Sequence, residues 1–301
     1  MSPLEESRIA RPRTRGRRPW STPGGAPIAA AVVVSLEHVA WAPAAHHRIA
    51  PSTVLNGPYP AIFDPHQVSV HEYGNRVGVF RVMQVCDRFG IRATAAIDAR
   101  LARRAPRIVE ECVARRWEVI GHGDALSNII TDHMAPNEER TYLEGAISEL
   151  VDIVGMRPRG WLNPEYSQSR NTLEMLAKMR LEYVCDFSND EQPYKLPTSH
   201  GDILNVPVSI ELDEVFAHRQ RGVTMAAWRD SVLSTARELG SSTSVGSRLI
   251  VLNLHPYIIG QPFRIHYLEE VLKELAENPK VWFATLGEIV DSYLTGAVAG
   301  P

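Results

Sequence analysis

The sequence predicts an α/β fold, a single distorted parallel β/α barrel of seven or eight strands. Short apolar runs rich in β-branched residues alternate along the chain with segments of helical periodicity. The chain has 301 residues, a length that α/β barrels commonly use for one domain. Its first apolar run, IAAAVVVSL at 28–36, is hydrophobic throughout, as expected of a strand buried on both faces of a parallel sheet.

Each further element follows from local pattern. Little periodicity is found at 39–75, which we predict to be a long ordered loop, and a helix follows at 76–89 with Gly90 as its C-terminal cap. Further strands are predicted at 91–97, 117–120, 160–163, 182–185, 203–208, 249–254 and 281–284. Further helices are predicted at 106–115, 136–154, 169–178, 225–239, 264–276 and from 285 to 294, where Thr285 and Glu288 have the spacing of a capping box. This alternation indicates a parallel sheet with right-handed crossovers.

The N-terminal region differs from the rest in composition. The first twenty residues carry six arginines against two glutamates, and no apolar core follows Arg17-Arg18 as an export signal would require. We therefore predict a basic, disordered tail at 1–27 and one barrel domain at 28–296.

Composition restricts the partners. With 44% hydrophobic residues, 22% charged residues and a net charge of -3, the chain is typical of a globular protein and offers no electrostatic reason to bind nucleic acid or an anionic membrane. No apolar stretch reaches the length of a transmembrane helix. The three cysteines, Cys86, Cys112 and Cys185, lack zinc-ligand spacing and favour a reducing, cytoplasmic location. A small-molecule substrate is the expected partner, and assembly into a homo-oligomer is left open.

Polar residues follow the ends of several predicted strands. In a parallel α/β barrel these ends meet on one face, where active sites lie. The residues so placed are Glu37, His122, Asn163, Asp186 and His255. Periodicity alone therefore predicts that these five side chains converge.

Several motifs in a shared order carry a resemblance. The central ones are Gly160-Trp161 with Pro164, and Asp186, Asp190 and Pro193-Tyr194; the others are Asn75-Arg76-Val77-Gly78, His122-Gly123, Arg157-Pro158-Arg159, Leu254-His255-Pro256 and Gly260-Gln261-Pro262. From residue 28 to residue 294 the chain resembles the polysaccharide deacetylase superfamily, in the branch that includes metal-independent allantoinases and cyclic-imide hydrolases.

The resemblance implies roles for the candidate residues. Glu37 stands where the superfamily has an aspartate that acts as general base, and His255 matches the histidine that acts as general acid. Such a pair can hydrolyse an amide, because one group takes a proton from water and the other protonates the leaving nitrogen. Substrate binding is expected of His122, Trp161, Asn163, Asp186 and Asp190, although Trp161 equally fits a core residue and Asp190 an ordinary turn residue.

Departures from the family pattern concern metal binding. Metal-dependent members carry a second histidine four residues after the one that His122 matches, and Leu126 stands there; His38 replaces a common aspartate ligand, and Leu162 stands near the usual arginine. Zinc normally takes three protein ligands and an open position. We predict that no metal is required, while a divalent ion such as zinc held by His38, His122 and Asp124 stays open and the metal ligands are unknown.

The sequence thus favours a hydrolase of carbon–nitrogen bonds other than peptide bonds, acting on a small amide, ureide or cyclic imide. Two alternatives stay open. The first is a metal-dependent N-deacetylase of amino sugars or cell-wall polysaccharide. The second is a noncatalytic module that binds a carbohydrate or a small molecule.

Overall fold

The computed structural model describes residues 19–41, 65–241 and 246–298, and it contains a sheet of nine strands. Eight strands pair in parallel and one, β6, is antiparallel to its neighbour. The strands are β1 (Ile28–Leu36), β2 (Thr94–Ile97), β3 (Glu118–Gly121), β4 (Gly160–Trp161), β5 (Tyr183–Val184), β6 (Tyr194–Leu196), β7 (Ile203–Asn205), β8 (Arg248–Leu254) and β9 (Val281–Phe283). Their order is β6-β7-β5-β4-β3-β2-β1-β8, with β9 paired to the first residues of β1.

Helices connect most of the parallel strands. They are α1 (Pro65–Tyr73), α2 (Val79–Arg88), α3 (Ala99–Arg104), α4 (Pro106–Ala114), α5 (Pro136–Val154), α6 (Thr172–Lys178), α7 (Met225–Ser241), α8 (Pro256–Ile259), α9 (Ile265–Glu277) and α10 (Leu286–Val298), with π-helical turns at Gly74–Gly78 and Val215–Gln220. The predicted capping box is confirmed, since the Thr285 amide donates to Glu288 at 2.9 Å and the Glu288 amide donates to Thr285 Oγ1 at 3.3 Å. In the described part of the chain, no helix is both long enough and apolar enough to cross a membrane.

Strand β1 lies at the centre of the sheet. All nine of its residues are buried, because its alternate side chains enter two different cores. Val32 and Val34 pack with the surrounding helices, whereas Ala31 and Val33 pack inside the curled sheet. The continuous apolar run of the sequence is the consequence, and the predicted parallel β/α barrel is confirmed.

The curled sheet is brought together by the segment before β6. The amide of Leu249 in β8 donates to the Glu191 carbonyl at 2.8 Å, and the Gln192 side chain donates to the Ser247 carbonyl at 2.7 Å. Trp20 lies at the same end, 4% exposed, and its carbonyl accepts from the Ser247 amide at 2.7 Å. Residues 19–27 of the predicted disordered tail are therefore packed against the domain, and residues 1–18 lie outside the described residues.

Part of the predicted loop at 39–75 is helical, since α1 and the π-helical turn cover 65–78. The prediction was wrong here because the buried side of this helix has no apolar stripe: it presents His71 and the two glycines Gly74 and Gly78. A Cβ at Gly74 would lie 2.6 Å from the Tyr257 amide nitrogen, and one at Gly78 would lie 2.1 Å from the Pro256 oxygen. Close backbone contact takes the place of side-chain packing, and residues 42–64 lie outside the described residues.

Gly160 provides a test of the packing between β4 and β5. A Cβ at this position would lie 2.1 Å from the ring of buried Tyr183. We expect Gly160→Ala to lower the free energy of unfolding by about 1–3 kcal/mol, as overpacked cores do. Gly145→Ala, in α5 with no atom within 4 Å of the new Cβ, is the matched control and is expected to raise stability slightly. Urea denaturation of both variants decides, and equal stabilities would contradict the packing argument.

Candidate active site

Four of the predicted site residues line one cavity at the carboxyl ends of the strands. Glu37 follows β1, His122 follows β3, Asn163 follows β4 and His255 follows β8. The cavity encloses about 280 Å³ of empty space. The other described residues that line it are Ser35, Glu165, Tyr166, Asp213, Val215, Phe216 and Asn253. The convergence expected from periodicity is therefore present for these four residues.

Glu37 and His122 form a buried pair. His122 Nε2 lies 3.2 Å from Glu37 Oε1, and His122 Nδ1 lies 2.6 Å from the Leu162 carbonyl oxygen. Because a carbonyl oxygen only accepts, Nδ1 carries a proton, and a further proton is shared between Nε2 and the carboxylate. Burial would raise the pKa of Glu37, but the hydrogen bond from His122 and the charge of His255 outweigh burial and lower it. Glu37 is therefore ionised at neutral pH.

Asn163 is held from behind by a short chain of hydrogen bonds. Its side-chain oxygen accepts from Trp161 Nε1 at 2.9 Å, and its Nδ2 donates to Asp186 Oδ2 at 2.7 Å. The Asn163 amide also donates to Asp186, at 2.8 Å. Burial raises the pKa of Asp186 to about 6, although the hydrogen bonds from Asn163 oppose the shift. Asp186 thus positions Asn163, and neither Asp186 nor Trp161 is among the described residues that line the cavity.

His255 lies against two carboxylates that we did not predict. Its Nδ1 is 3.3 Å from Glu214 Oε2 and 3.8 Å from Asp213 Oδ1, and both acidic side chains are fully buried. Burial disfavours the charged ring, but the carboxylates of Asp213 and Glu214 outweigh burial and raise the pKa of His255 to about 10. His255 is therefore a cation at neutral pH. With Nδ1 facing Glu214, Nε2 is the nitrogen on the opposite side of the ring.

Asp213 is fixed by four hydrogen bonds. Its Oδ1 accepts from the amides of Val215 at 2.9 Å and Phe216 at 3.3 Å. Its Oδ2 accepts from Tyr166 Oη at 2.7 Å and from Asn253 Nδ2 at 3.0 Å. All the usual acceptor positions of this carboxylate are used, so its charge is held rigidly beside His255.

The acidic pair was missed because it does not follow a strand directly. Asp213 and Glu214 come eight and nine residues after the end of β7, beyond a short 3₁₀ turn at Ile210–Leu212. The segment between them and β7 has no periodic pattern that would fix its path. The available signal was two adjacent acidic residues in the segment that follows a predicted strand.

Two predicted residues lie elsewhere than expected. Trp161 is fully buried in the core, where its ring covers Gly121, so its role as core residue is the one that the structure supports. Asp190 caps a turn by accepting from the amides of Glu191 at 2.8 Å and Gln192 at 2.9 Å. Glu191 bonds to Leu249 near the start of β8, about 20 Å along that strand from His255 at ~3.3 Å per residue. Asp190 is therefore a turn residue and not part of the cavity.

The described residues do not fit a metal at the family position. Asp124 pairs with Arg100 at 2.9 Å, and burial together with Arg104 and Arg100 lowers the pKa of His38 to about 4. Both nitrogens of His122 are engaged, and Leu126 is buried among apolar side chains. The conceivable set of His38, His122 and Asp124 is not among the groups of donors close enough to share an ion in the described part of the chain.

One group of donors does meet the distance requirement, namely Asp213, Glu214 and His255, whose ligand atoms lie within 4.8 Å of one another. It fits a metal poorly, because the Asp213 oxygens already accept four hydrogen bonds. The Nδ1 that would have to ligate the ion is also protonated at neutral pH, given the raised pKa of His255. The arrangement is suited to holding a proton on His255.

Comparisons with known proteins agree with the fold and the site. The family model described as Polysaccharide deacetylase matches residues 69–184. A peptidoglycan deacetylase of Helicobacter pylori is 19% identical over 274 residues, covering 79% of this chain and 91% of that protein. The crystal structure of a probable polysaccharide deacetylase from Pseudomonas aeruginosa PAO1 has a TM-score of 0.84 at 23% identity and covers 95% of this chain and 98% of its own. Puue allantoinase has a TM-score of 0.83 at 23% identity, with coverage of 93% and 95%.

These comparisons confirm the predicted resemblance to the polysaccharide deacetylase superfamily, including its allantoinase-like branch. They also confirm the predicted class of enzyme, a hydrolase of the deacetylase or amidohydrolase type. The matched region contains His122, Asn163 and the strands β2 to β5.

The ion pair at His255 makes a prediction about its titration. We expect Glu214→Gln to lower the pKa of His255 from about 10 by about 1–3 units, because a neighbouring opposite charge favours the charged ring by that amount. NMR titration of the His255 ring measures the shift without reference to activity. Glu211→Gln removes the same charge from a carboxylate that is 76% exposed, and this control is expected to leave the titration unchanged. An unaltered His255 pKa in Glu214→Gln would show that Glu214 does not hold the proton.

Proposed function

Because the resemblance to the polysaccharide deacetylase superfamily holds in sequence and in fold, we propose that this protein hydrolyses a carbon–nitrogen bond in a small amide, ureide or cyclic imide. One observation carries the proposal: an ionised Glu37 and a protonated His255 line the same buried cavity. Amide hydrolysis needs this pairing of a base with an acid at neutral pH. The observation favours catalysis over the noncatalytic alternative.

In the proposed reaction Glu37 takes a proton from water, and the water oxygen bonds to the substrate carbonyl carbon. The carbonyl π electrons move to oxygen, where the charged ring of His122 beside Glu37 supports the oxyanion. The carbon–nitrogen bond then breaks, and the departing nitrogen takes the Nε2 proton of His255. The acid product and the amine leave, and the proton on Glu37 passes through solvent to restore His255.

The size of the cavity favours a small substrate. Its empty space of about 280 Å³ lies at the lower end of ligand pockets, which commonly measure about 300–1,000 Å³. A second candidate function is a metal-dependent N-deacetylase of amino sugars or cell-wall polymer, and similarity to the peptidoglycan deacetylase of Helicobacter pylori favours it. A polymer substrate needs an open groove, and the donor set for its metal is the point at which the two candidates separate.

We place the reaction in the cytoplasm and assign it no required metal. The three cysteines Cys86, Cys112 and Cys185 are free and buried, which suits a reducing compartment. Metal independence is supported by the engaged nitrogens of His122 and by the pairing of Asp124 with Arg100.

The role of Glu37 is tested by Glu37→Gln. We expect kcat to fall by about 10²–10⁴-fold on whichever amide, ureide or imide the wild-type protein hydrolyses best in a screen of such compounds and acetylated sugars. Asp190→Asn is the control, and we expect it to retain activity because Asp190 lies away from the cavity. Near-normal turnover by a folded Glu37→Gln protein would remove Glu37 from the mechanism.

Chelation separates the two candidate functions. Protein purified without added metal is expected to contain well under one equivalent and to keep its rate after dialysis against a strong chelator. Elemental analysis is made alongside the rate, before and after chelation and after addition of zinc, cobalt or manganese. Tightly held stoichiometric metal, with activity that is lost on its removal and returns on its replacement, would establish the metal-dependent deacetylase instead.

A further inference from the structure

Glu165 is a charged residue of the cavity to which the proposed reaction gives no role. It lines the same cavity as Glu37 and His255, is half-buried, and adds to the unfavourable field that raises the pKa of Tyr257, after burial and the charge of Glu37. Its carboxylate therefore acts on the side of the cavity that carries His255 and the residues after it.

The backbone holds Glu165 at this place at a cost. Glu165 and Tyr166 have φ angles of 57° and 55°, in the left-handed region that residues with a side chain rarely adopt. Tyr166 keeps the turn in place, since its amide donates to the Asn163 carbonyl at 2.9 Å and its hydroxyl donates to Asp213 at 2.7 Å. The turn that carries Glu165 is thus tied to both sides of the site, so the carboxylate position is defined.

The charge of the lining is negative. Three carboxylates, those of Glu37, Glu165 and Asp213, face two imidazole rings, those of His122 and His255, and among the described lining residues none is a lysine or an arginine. Each ring already faces a carboxylate, with His122 at 3.2 Å from Glu37 and His255 beside Glu214 and Asp213. The guanidinium of Arg219 lies over the Tyr257 ring, 5.5 Å from its centroid, and is not part of the described lining. Glu165 is the lining carboxylate without a histidine against it in this arrangement.

From this charge balance we infer that Glu165 determines substrate specificity, so that the site takes amides, ureides or imides bearing a cationic or N–H-rich substituent and rejects those bearing a carboxylate. The inference rests on the proposed function, whose substrate class it narrows. A carboxylate on the substrate would meet Glu165 and the other acidic side chains in a partly desolvated space, where like charges repel strongly. An ammonium group there gains a partner.

Binding of matched hydantoins tests the inference without requiring turnover. The probes are 5-(2-aminoethyl)hydantoin, 5-propylhydantoin and 5-(2-carboxyethyl)hydantoin, which share one ring and differ in charge. By titration calorimetry we expect wild-type protein to bind the ammonium compound at least about tenfold more tightly than the carboxylate compound. In Glu165→Gln we expect this preference to shrink several-fold, with the affinity for the neutral propyl compound little changed.

Two further variants make the test specific. Glu165→Asn removes the same charge with a side chain that tolerates a positive φ, and it is expected to behave like Glu165→Gln. Glu211→Gln removes a charge from an exposed carboxylate and is expected to keep the wild-type preference. A preference near one in the wild-type protein, a preference unchanged in both Glu165 variants, or binding of none of the probes would overturn the inference. Failure of the proposed function is a different result, namely the charge preference in binding without hydrolysis of any compound in the screen.

Discussion

The structure depends on the burial of β1 with both of its edges paired. One edge pairs with β8 from Ile28 to Val34, and the other is shared by β9 at its start and β2 at its end. A strand buried on both faces must have its amides and carbonyls paired by neighbouring strands, because no water reaches them. The same pairing sets the active site, since Val34 is opposite Leu254 and the two chains next continue to Glu37 and His255. Base and acid are therefore neighbours because their strands are neighbours.

Around this frame the cavity separates opposite protonation states over a short distance. Glu37 keeps its charge because His122 donates to it, and His255 keeps its proton because Asp213 and Glu214 lie beside it. Buried charges are costly unless they are paired and hydrogen-bonded, and both pairs meet that condition. The fixed contacts of Asp213 with Tyr166, Asn253 and two amides prevent the acid from turning away. The site is prepared for proton transfer before a substrate arrives.

The sequence was sufficient for the features that depend on strand periodicity. The buried strand at 28–36, helix 136–154 and the convergence of Glu37, His122, Asn163 and His255 all follow from apolar patterns and from the geometry of parallel sheets. The family resemblance supplied the roles of Glu37 and His255, which no periodicity could give.

What could not be predicted lies where side-chain pattern does not determine the path of the chain. Asp213 and Glu214 reach His255 through an irregular segment held by hydrogen bonds to a distant tyrosine and asparagine. The helix at 65–78 was missed because its contact with the turn after His255 is made by glycine backbone. Asp190 could not be told from a ligand-binding aspartate, since both occur in turns and only the contacts of Glu191 with β8 show where this turn lies.

The ion pair of His255 also links folding to pH through proton binding. In the unfolded chain a histidine has a pKa near ~6.5, whereas in the folded protein burial opposes, and the carboxylates of Asp213 and Glu214 more than offset, so that the pKa is about 10. The folded state therefore binds this proton more tightly, and the stability that it contributes is fully present below pH ~6.5 and is lost as the pH rises through about 10. Above that range two buried carboxylates lose their counter-charge. Alkaline conditions that silence the acid catalyst thus also loosen the domain, and the protein's tolerance of base has the same physical origin as its chemistry.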